Sequence, residues 1–454
     1  MVVARALALM LVFAGAAEAA EPAWRYEVDA DVDAKELRID ATLAPGYSEE
    51  LSVDDGAEPF VRDVVVEEAG KWRPVAARGD SWFIPSCAKG CRLRYRFELR
   101  RAAERLDGEA GQRLGGVIQA PPSTWLLHPL HPAPGRDYRF RVRGATFVSG
   151  VRRVAADSYG ADVSTLLDSA YSAFGAVTVQ TIKLPDAAVE VAFVPSQRNL
   201  SRPGVMKALA RAAEVVRRYY RRFPVERLLV IVVPIGGDEL HGRTLGGGGA
   251  TLMLSVPEGL DEAALMRSWV PAHELVHLAL PTVPRKQLWL AEGLATYLEP
   301  IARARAGDVG ATTVWRDLVD GLPQGLPEPG DRGLDHTHSW GRTYWGGALY
   351  CFVADLEIRE RTHNRRSLDD AMRAIVAAGG SLATTWPLER ALRIGDAATG
   401  VDVLSSLYRR MADAPLAVDL PSWWARLGIH PTSDGVRFDD SAPLAAIRRS
   451  VTAP

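Results

Sequence analysis

The sequence predicts a multidomain α+β protein in which an N-terminal all-β domain is followed by an α/β domain and a C-terminal helical domain. Three observations support this. From residue 20 to 185, apolar residues recur at a period of two, which is typical of half-buried strands. From 186 to 303, continuous apolar runs alternate with amphipathic helical segments. From 304 to 454, helical periodicity dominates, and loops rich in Gly and Pro interrupt it.

The first 19 residues have the pattern of a secretory signal peptide. Arg5 precedes an apolar run over residues 6–17, and the small residues Ala17 and Ala19 predict cleavage after Ala19. The run is too short to span a bilayer, and no later stretch reaches the roughly 18 consecutive apolar residues that a membrane helix needs. We therefore expect a periplasmic or secreted protein with no integral membrane segment in its mature chain.

The predicted N-terminal β domain, residues 20–185, opens with two alternating segments. Trp24, Tyr26 and Val28 alternate with polar residues, and Leu37 begins a second alternating segment after a short turn. Further strands are expected at 61–67, 81–84, 93–99 and 138–142.

The chain contains three cysteines. Cys87 and Cys91 bracket a tight turn, so in an oxidising compartment we expect a disulfide between them, which contributes about 2 kcal/mol on the chain-entropy estimate. A metal site is the competing interpretation, but two thiols without nearby His or Cys partners make a poor ligand set. Cys351 lies in an apolar helical stretch and is predicted to be a buried thiol.

The charge of the chain gives no reason to expect a nucleic-acid partner. The formal net charge is -2 at pH 7, so no global field attracts phosphate backbones. A local basic cluster does occur on a predicted helix over residues 204–222, and we interpret it as a solvated helix face. The cluster consists of Arg217, Arg218, Arg221 and Arg222.

The central α/β segment, residues 186–303, contains the most informative motif. Buried strands are expected at 189–194, 228–233 and 250–256, and a helical segment over 261–280 then carries His273-Glu274-Leu275-Val276-His277. Residues four apart lie on the same face of a helix, so His273 and His277 can share one metal ion. This is the HExxH zinc pattern, with Glu274 beside the metal as a proton acceptor. A chance match arises in roughly one such chain in a hundred.

A third protein ligand must come from elsewhere, because catalytic zinc takes three protein ligands and keeps one position open. Pro281 and Pro284 end the first helix, and residues 286–297 form a second helical pattern that contains Glu292. A short turn makes the two helices antiparallel neighbours, so Glu292 can face the histidine pair. We therefore expect one zinc ion per chain, bound by His273, His277 and Glu292.

Two motifs together resemble a known family. The pentad HELVH followed by Trp289-Leu290-Ala291-Glu292-Gly293-Leu294-Ala295 is similar to the gluzincin metallopeptidases of the aminopeptidase N and glycyl aminopeptidase types. The resemblance implies a thermolysin-like zinc domain with Glu292 as the third ligand. One departure is that only 14 residues, 278–291, separate His277 from Glu292, which is fewer than in aminopeptidase N relatives. The tail after Trp424 is too short for the PDZ module found in some glycyl aminopeptidases, so that module is not expected.

The predicted helix over residues 343–361 contains a candidate oxyanion donor. Taken alone, Tyr344 is one more aromatic residue beside Trp340 and Trp345, and core packing is the simpler interpretation. However, the segment that begins Tyr344-Trp345-Gly346-Gly347-Ala348 resembles the glycyl aminopeptidase segment whose tyrosine steadies the tetrahedral oxyanion. The resemblance therefore implies this role for Tyr344, with His336 or His338 as the fallback.

A run of four glycines, residues 246–249, precedes the third strand. One interpretation is a substrate-binding strand edge at Gly248, Gly249 and Ala250, where the missing side chains let a peptide backbone come close. The other is a flexible connector. Aminopeptidase N relatives carry a Glu in the matching region that binds the substrate's free amine, and none occurs in 246–255. Specificity for a free N-terminus is therefore not expected.

These observations predict a zinc metallopeptidase that acts on a peptide or protein substrate. Glu274 is expected to take a proton from the zinc-bound water, and Tyr344 to stabilise the oxyanion. The alternative is an exported zinc-binding or interaction protein with a catalytically decayed site. Glu274 separates the two, because a binding site has no use for a base beside its ligands.

Overall fold

The computed structural model describes residues 24–45, 49–130, 135–196 and 200–454. The predicted signal peptide, residues 1–19, lies outside the described residues. The chain is a mixed α+β protein with several β-sheets followed by a mainly helical C-terminal part, in agreement with the coarse features of the predicted fold class. None of the described helices is long and apolar enough to cross a membrane.

The N-terminal part consists of fifteen strands and two short helices among the described residues. The strands are β1 (Trp24–Ala30), β2 (Leu37–Leu43), β3 (Glu50–Ser52), β4 (Val61–Glu68), β5 (Lys71–Pro74), β6 (Trp82–Phe83), β7 (Cys91–Phe97), β8 (Gln112–Leu114), β9 (Val117–Gln119), β10 (His128–Pro129), β11 (Asp137–Arg143), β12 (Phe147–Ser149), β13 (Arg153–Ala155), β14 (Ser158–Asp162) and β15 (Ser172–Phe174). The helices are α1 (Leu99–Ala103) and α2 (Pro122–Trp125).

These strands form three sheets. The largest has eight strands in the order β13-β14-β11-β1-β2-β7-β4-β5, and the smaller two are β10-β3-β6 and β12-β15-β9-β8. The period of two seen in the sequence corresponds to strands with one buried face: β2 alternates buried and exposed residues along its whole length. Cys87 and Cys91 form the expected disulfide at the start of β7, with their Cα atoms 4.6 Å apart.

The next five strands form one sheet. They are β16 (Thr178–Lys183), β17 (Ala188–Phe193), β18 (Arg227–Ile235), β19 (His241–Leu245) and β20 (Thr251–Pro257), with α3 (Arg202–Tyr220) between β17 and β18. The order is β16-β17-β18-β20-β19, in which β17, β18 and β20 are parallel and the two edge strands are antiparallel to their neighbours. Because β16 is already part of this sheet, the predicted boundary at 185/186 falls inside the sheet.

Both faces of this sheet are covered, which explains the continuous apolar runs of β17 and β18. One face packs against α3 and the helices that follow, in a core that contains Val191, Val230 and Leu254. The other face contributes Ile231 and Met253 to a second core shared with the small N-terminal sheet β12-β15-β9-β8.

The remaining elements are mostly helices. They are α4 (Glu262–Arg267), α5 (Val270–Val276), α6 (Leu288–Arg305), α7 (Ala311–Gly321), α8 (Gly347–Arg361), α9 (Leu368–Ala377), α10 (Leu388–Thr399), α11 (Val403–Met411), α12 (Leu420–Leu427) and α13 (Ala445–Thr452), with a hairpin of β21 (Ile429–Thr432) and β22 (Gly435–Phe438) before α13. A capping box formed by Ser367 and Asp370 begins α9. Cys351 is buried in α8, as predicted.

The glycine run is a joint between the N-terminal part and the five-stranded sheet, not a substrate-binding edge. Residues 246–250 are buried, and their backbone pairs with the N-terminal part: Arg152 donates to the Gly248 carbonyl, and the Ala250 N–H donates to the Gly150 carbonyl. A Cβ atom at Gly249 would lie 1.9 Å from that same Gly150 oxygen. The predicted substrate-binding role of Gly248, Gly249 and Ala250 is therefore contradicted by the structure. Glycine is needed here because two backbones meet.

Candidate metal centre

The HExxH segment lies on a short buried helix. The predicted helix over 261–280 is divided into α4, α5 and a 3₁₀ turn, His277–Ala279, because Ser268 adopts an extended conformation and Pro271 begins a new helix. His273 and Glu274 are buried in α5, and His277 follows directly. The two imidazole rings are 5.0 Å apart between centroids, as the spacing of four residues requires.

Glu292 on α6 completes a compact set of metal-binding groups. Its Oε2 atom lies 3.6 Å from Nε2 of His273 and 3.5 Å from Nε2 of His277. Ligands about 2.0–2.1 Å from a tetrahedral zinc are about 3.4 Å from one another, so this arrangement fits one ion. Two imidazoles and one carboxylate are also a donor set that zinc takes in catalytic sites.

The electrostatics of His277 and Glu292 favour the protonation states that a metal needs. Burial lowers the pKa of His277, which keeps the imidazole neutral and able to bind a metal. Burial raises the pKa of Glu292, but its interactions with His277, His273 and Arg243 outweigh this effect, so its pKa is lowered and the carboxylate stays ionised. We conclude that the site fits a divalent cation.

Glu274 also lies near the histidines but is held differently. A ligand atom from each of Glu274, His273 and His277 lies within 4.8 Å of the others, so distance alone would also admit Glu274 as a ligand. However, Thr244 donates a hydrogen bond of 2.6 Å to its Oε2 atom. Gly242 is so close that a Cβ atom there would be 2.3 Å from Cγ of Glu274. Strand β19 therefore holds Glu274 beside the metal ligands, whereas the Glu292 oxygen faces both imidazoles.

Tyr344 lies on a π-helical turn, Arg342–Gly346, that leads into α8. Its side chain is half-buried, and burial raises its pKa, as do the charges of Glu292 and Glu274. Among the described residues, no protein group accepts or donates a hydrogen bond at its hydroxyl. The fallback donor His336 is exposed and pairs instead with Asp413 at 2.9 Å.

Two exposed tryptophans flank these residues. The Trp269 side chain is 53% exposed and its ring meets that of His273 edge-on at 5.1 Å. Trp340 is 62% exposed and stacks on Tyr344 at 5.7 Å. Large exposed aromatic rings at both sides of the site can pack against substrate side chains.

The sequence matches no protein-family model and no curated protein. Solved structures are nevertheless similar. An aminopeptidase N family protein from Idiomarina loihiensis has a TM-score of 0.65 and 12% identity over 89% of this chain and 78% of that one. An M1 zinc metallopeptidase from Deinococcus radiodurans has a TM-score of 0.53 and 15% identity over 88% and 94%. A point variant of a two-domain M1 zinc metallopeptidase bound to L-arginine has a TM-score of 0.52 and 17% identity over 88% and 95%.

The chain has the M1 zinc metallopeptidase fold. The gluzincin resemblance read from HELVH and the second motif is thereby confirmed at the level of the fold. Helix α6 of this M1 fold also packs closely on α8: a Cβ atom at Gly293 would lie 2.1 Å from the backbone of Gly347. The two glycines thus bring the helix that carries Glu292 against the element that follows Tyr344.

Sequence reasoning missed the strand that completes the site of this M1 fold. Strand β19 contains the polar residues His241, Arg243 and Thr244, so apolar alternation does not mark it. Tyr171, buried in the N-terminal part, was also missed; burial raises its pKa, and the charge of Glu274 raises it further. A short segment between two glycine-containing turns was the available signal for β19.

Thr296 and Glu299, which follow Glu292 on α6, have contacts of their own. The Thr296 hydroxyl donates to the Glu292 carbonyl at 2.8 Å within α6. Glu299 is buried and pairs with Arg303 at 2.9 Å. Burial raises the pKa of Glu299, while Arg303 and His273 oppose the rise. Among the described residues, neither Thr296 nor Glu299 forms a hydrogen bond with a histidine of the site.

Proposed function

We propose that this protein is a zinc-dependent metallopeptidase that hydrolyses peptide bonds by a metal-activated water with Glu274 as general base. The observation that carries this proposal is the convergence of His273, His277 and Glu292 within 3.6 Å, with Glu274 held beside them by β19. The M1 fold supports it, because the similar structures are zinc metallopeptidases by name.

The roles of the residues follow from their positions. A zinc ion held by His273, His277 and Glu292 would lower the pKa of a coordinated water and polarise the substrate carbonyl. Glu274 accepts the proton of the attacking water and returns it to the leaving amine. Thr244 occupies Oε2 of Glu274, which orients the other carboxylate oxygen toward the water. Tyr344 donates a hydrogen bond to the developing oxyanion, a contact often worth about 3 kcal/mol.

The proposal includes the location and the division of the chain. We propose one zinc ion per chain, a cleavable signal peptide at residues 1–19, and a periplasmic or secreted mature protein. We propose an N-terminal β-rich domain, a thermolysin-like catalytic domain and a C-terminal helical domain that begins near residue 304. The strand pairing of β16 supports a start of the catalytic domain near residue 178 rather than 186.

Metal analysis combined with Glu274→Gln tests this proposal. The purified wild-type protein is expected to contain about one zinc per chain and to cleave members of a mixed peptide library, with cleavage sites read by mass spectrometry. Glu274→Gln should keep the zinc and lose about 10²–10⁴-fold of the activity, because it removes the proton acceptor and not a ligand. Glu292→Gln should lose the zinc itself.

Glu389→Gln serves as the matched control, because Glu389 is exposed on α10 and the same chemical change there should leave zinc and activity as they are. Unchanged activity in Glu274→Gln would refute the mechanism. A wild-type protein that binds zinc but cleaves no peptide would support the decayed-site alternative instead.

A further inference from the structure

The edge strand β19 lies next to the proposed catalytic residues and has one free side. It pairs with β20 on one side, and no described strand pairs with the other. Gly242 and Thr244 contact Glu274, so this edge lies at the candidate metal centre. An extended peptide can add to such an edge through its main chain, which places its side chains beside those of β19. The charged residue between Gly242 and Thr244 is Arg243.

The Arg243 side chain projects toward the N-terminal part. In register it lies opposite Met253, which is buried against the small N-terminal sheet. Its guanidinium forms an ion pair with Glu109 of the N-terminal part. Arg243 is thus a cation on the strand whose residues Gly242 and Thr244 contact Glu274, with its side chain on the opposite face of the sheet.

The Arg243 side chain retains binding capacity. A guanidinium has five N–H donors on three nitrogens, and the ion pair with Glu109 involves one of these nitrogens. The side chain remains 65% exposed, so further donors face open space. Planar guanidinium groups bind carboxylates through two parallel hydrogen bonds, whereas they repel an ammonium group. The charge at this edge therefore favours an acid over an amine.

We propose that Arg243 binds a carboxylate of the substrate, so that the site selects peptides with a carboxylate close to the scissile bond. This inference rests on the proposed peptidase function. The carboxylate belongs either to an Asp or Glu side chain or to the C-terminus of the substrate. Arg243 is a binding residue in this proposal, and Glu109 is the group that holds it in place until substrate arrives.

Matched peptides test the proposal. A neutral peptide that the wild type cleaves is compared with two acidic forms, one with Glu in place of Gln beside the scissile bond and one with a free C-terminus in place of the amide. A charge-assisted hydrogen bond implies that kcat/KM for one acidic form exceeds that for its neutral partner by about 10- to 100-fold. The acidic form that is preferred identifies the source of the carboxylate. Equal rates for both pairs would overturn the proposal.

Variants separate recognition from a structural ion pair. In Arg243→Gln the acid-to-neutral ratio of kcat/KM should fall toward one, and Arg243→Lys should retain part of it because the charge remains without the planar fork. Glu109→Gln should keep the ratio or raise it, because it removes a competing carboxylate. If Arg243→Gln and Glu109→Gln lower the ratio equally, Arg243 has only a structural role.

A binding measurement tests the role of Arg243 in peptide recognition independently of turnover. The zinc-loaded Glu274→Gln protein is titrated with the same peptides, and the fluorescence of the nearby tryptophans reports the Kd. Tighter binding of an acidic form by about 10-fold or more, lost in the Glu274→Gln, Arg243→Gln double variant, would support the inference even if the wild type cleaved nothing. Equal Kd values would overturn it even if the wild type were an active peptidase.

Discussion

Replacement of Gly242 by alanine should remove most of the activity without unfolding the protein. A Cβ atom at this position would lie 2.3 Å from Cγ and 2.7 Å from Cδ of Glu274. Non-bonded carbon atoms need about 3.5–4.0 Å, so the Glu274 side chain must move by somewhat more than 1 Å. A displacement of this size in a catalytic group costs about 10²-fold. We therefore expect kcat/KM of Gly242→Ala to fall on the order of 100-fold.

Three measurements are needed for this variant: peptide hydrolysis, zinc content and thermal unfolding. The three atoms nearest to the added Cβ all belong to the Glu274 side chain, so the strain should displace the base and not the backbone or the metal ligands. Gly236→Ala is the matched control, because a Cβ atom there meets nothing within 4 Å. Wild-type activity in Gly242→Ala, or an equal loss in Gly236→Ala, would show that β19 does not hold the base.

Three further predictions concern other groups of the site and the fold. Tyr344→Phe should keep its zinc and lower kcat by about 10²-fold, as steady-state kinetics would show; a loss below a few-fold assigns the oxyanion role elsewhere. Burial lowers the pKa of His277, and the histidine charges lower that of Glu292 despite its burial, so the unfolded chain binds more protons in acid. Urea stability and zinc content should therefore fall together below about pH 6.5, and constant values down to about pH 5 would contradict this. Replacement of Cys87 and Cys91 by serine should lower the free energy of unfolding by about 2 kcal/mol in denaturant titrations, and no change would mean that this small loop is not stabilising.

The strands and helices that were predicted correctly have regular local patterns. Strands β1, β2 and β11 and helix α3 match their predicted positions to within two or three residues, because one buried face imposes a fixed period on each. The segment over 261–280 was predicted as one helix, but the structure divides it into three helical pieces. The apolar residues keep a period of 3.6 on both sides of the extended residue Ser268, so periodicity does not reveal the break.

The sequence by itself determined the composition of the candidate site. His273, Glu274 and His277 are joined by the geometry of one helical turn, and the second motif singled out Glu292. These are local relationships, so they can be predicted without knowledge of the rest of the fold. The pairing of Cys87 with Cys91 belongs to the same class, because four residues separate them.

Only the tertiary structure decided what surrounds these ligands. The contact of Thr244 with Glu274 joins residues 30 apart in the chain, and the pairing of Arg243 with Glu109 joins the catalytic sheet to the N-terminal part. It also showed that Gly248 lies in a buried joint. Such contacts depend on which strand becomes the edge of a sheet and which domain packs on it. Hydrophobic periodicity indicates that a residue is buried, but it does not indicate which residues pack against it.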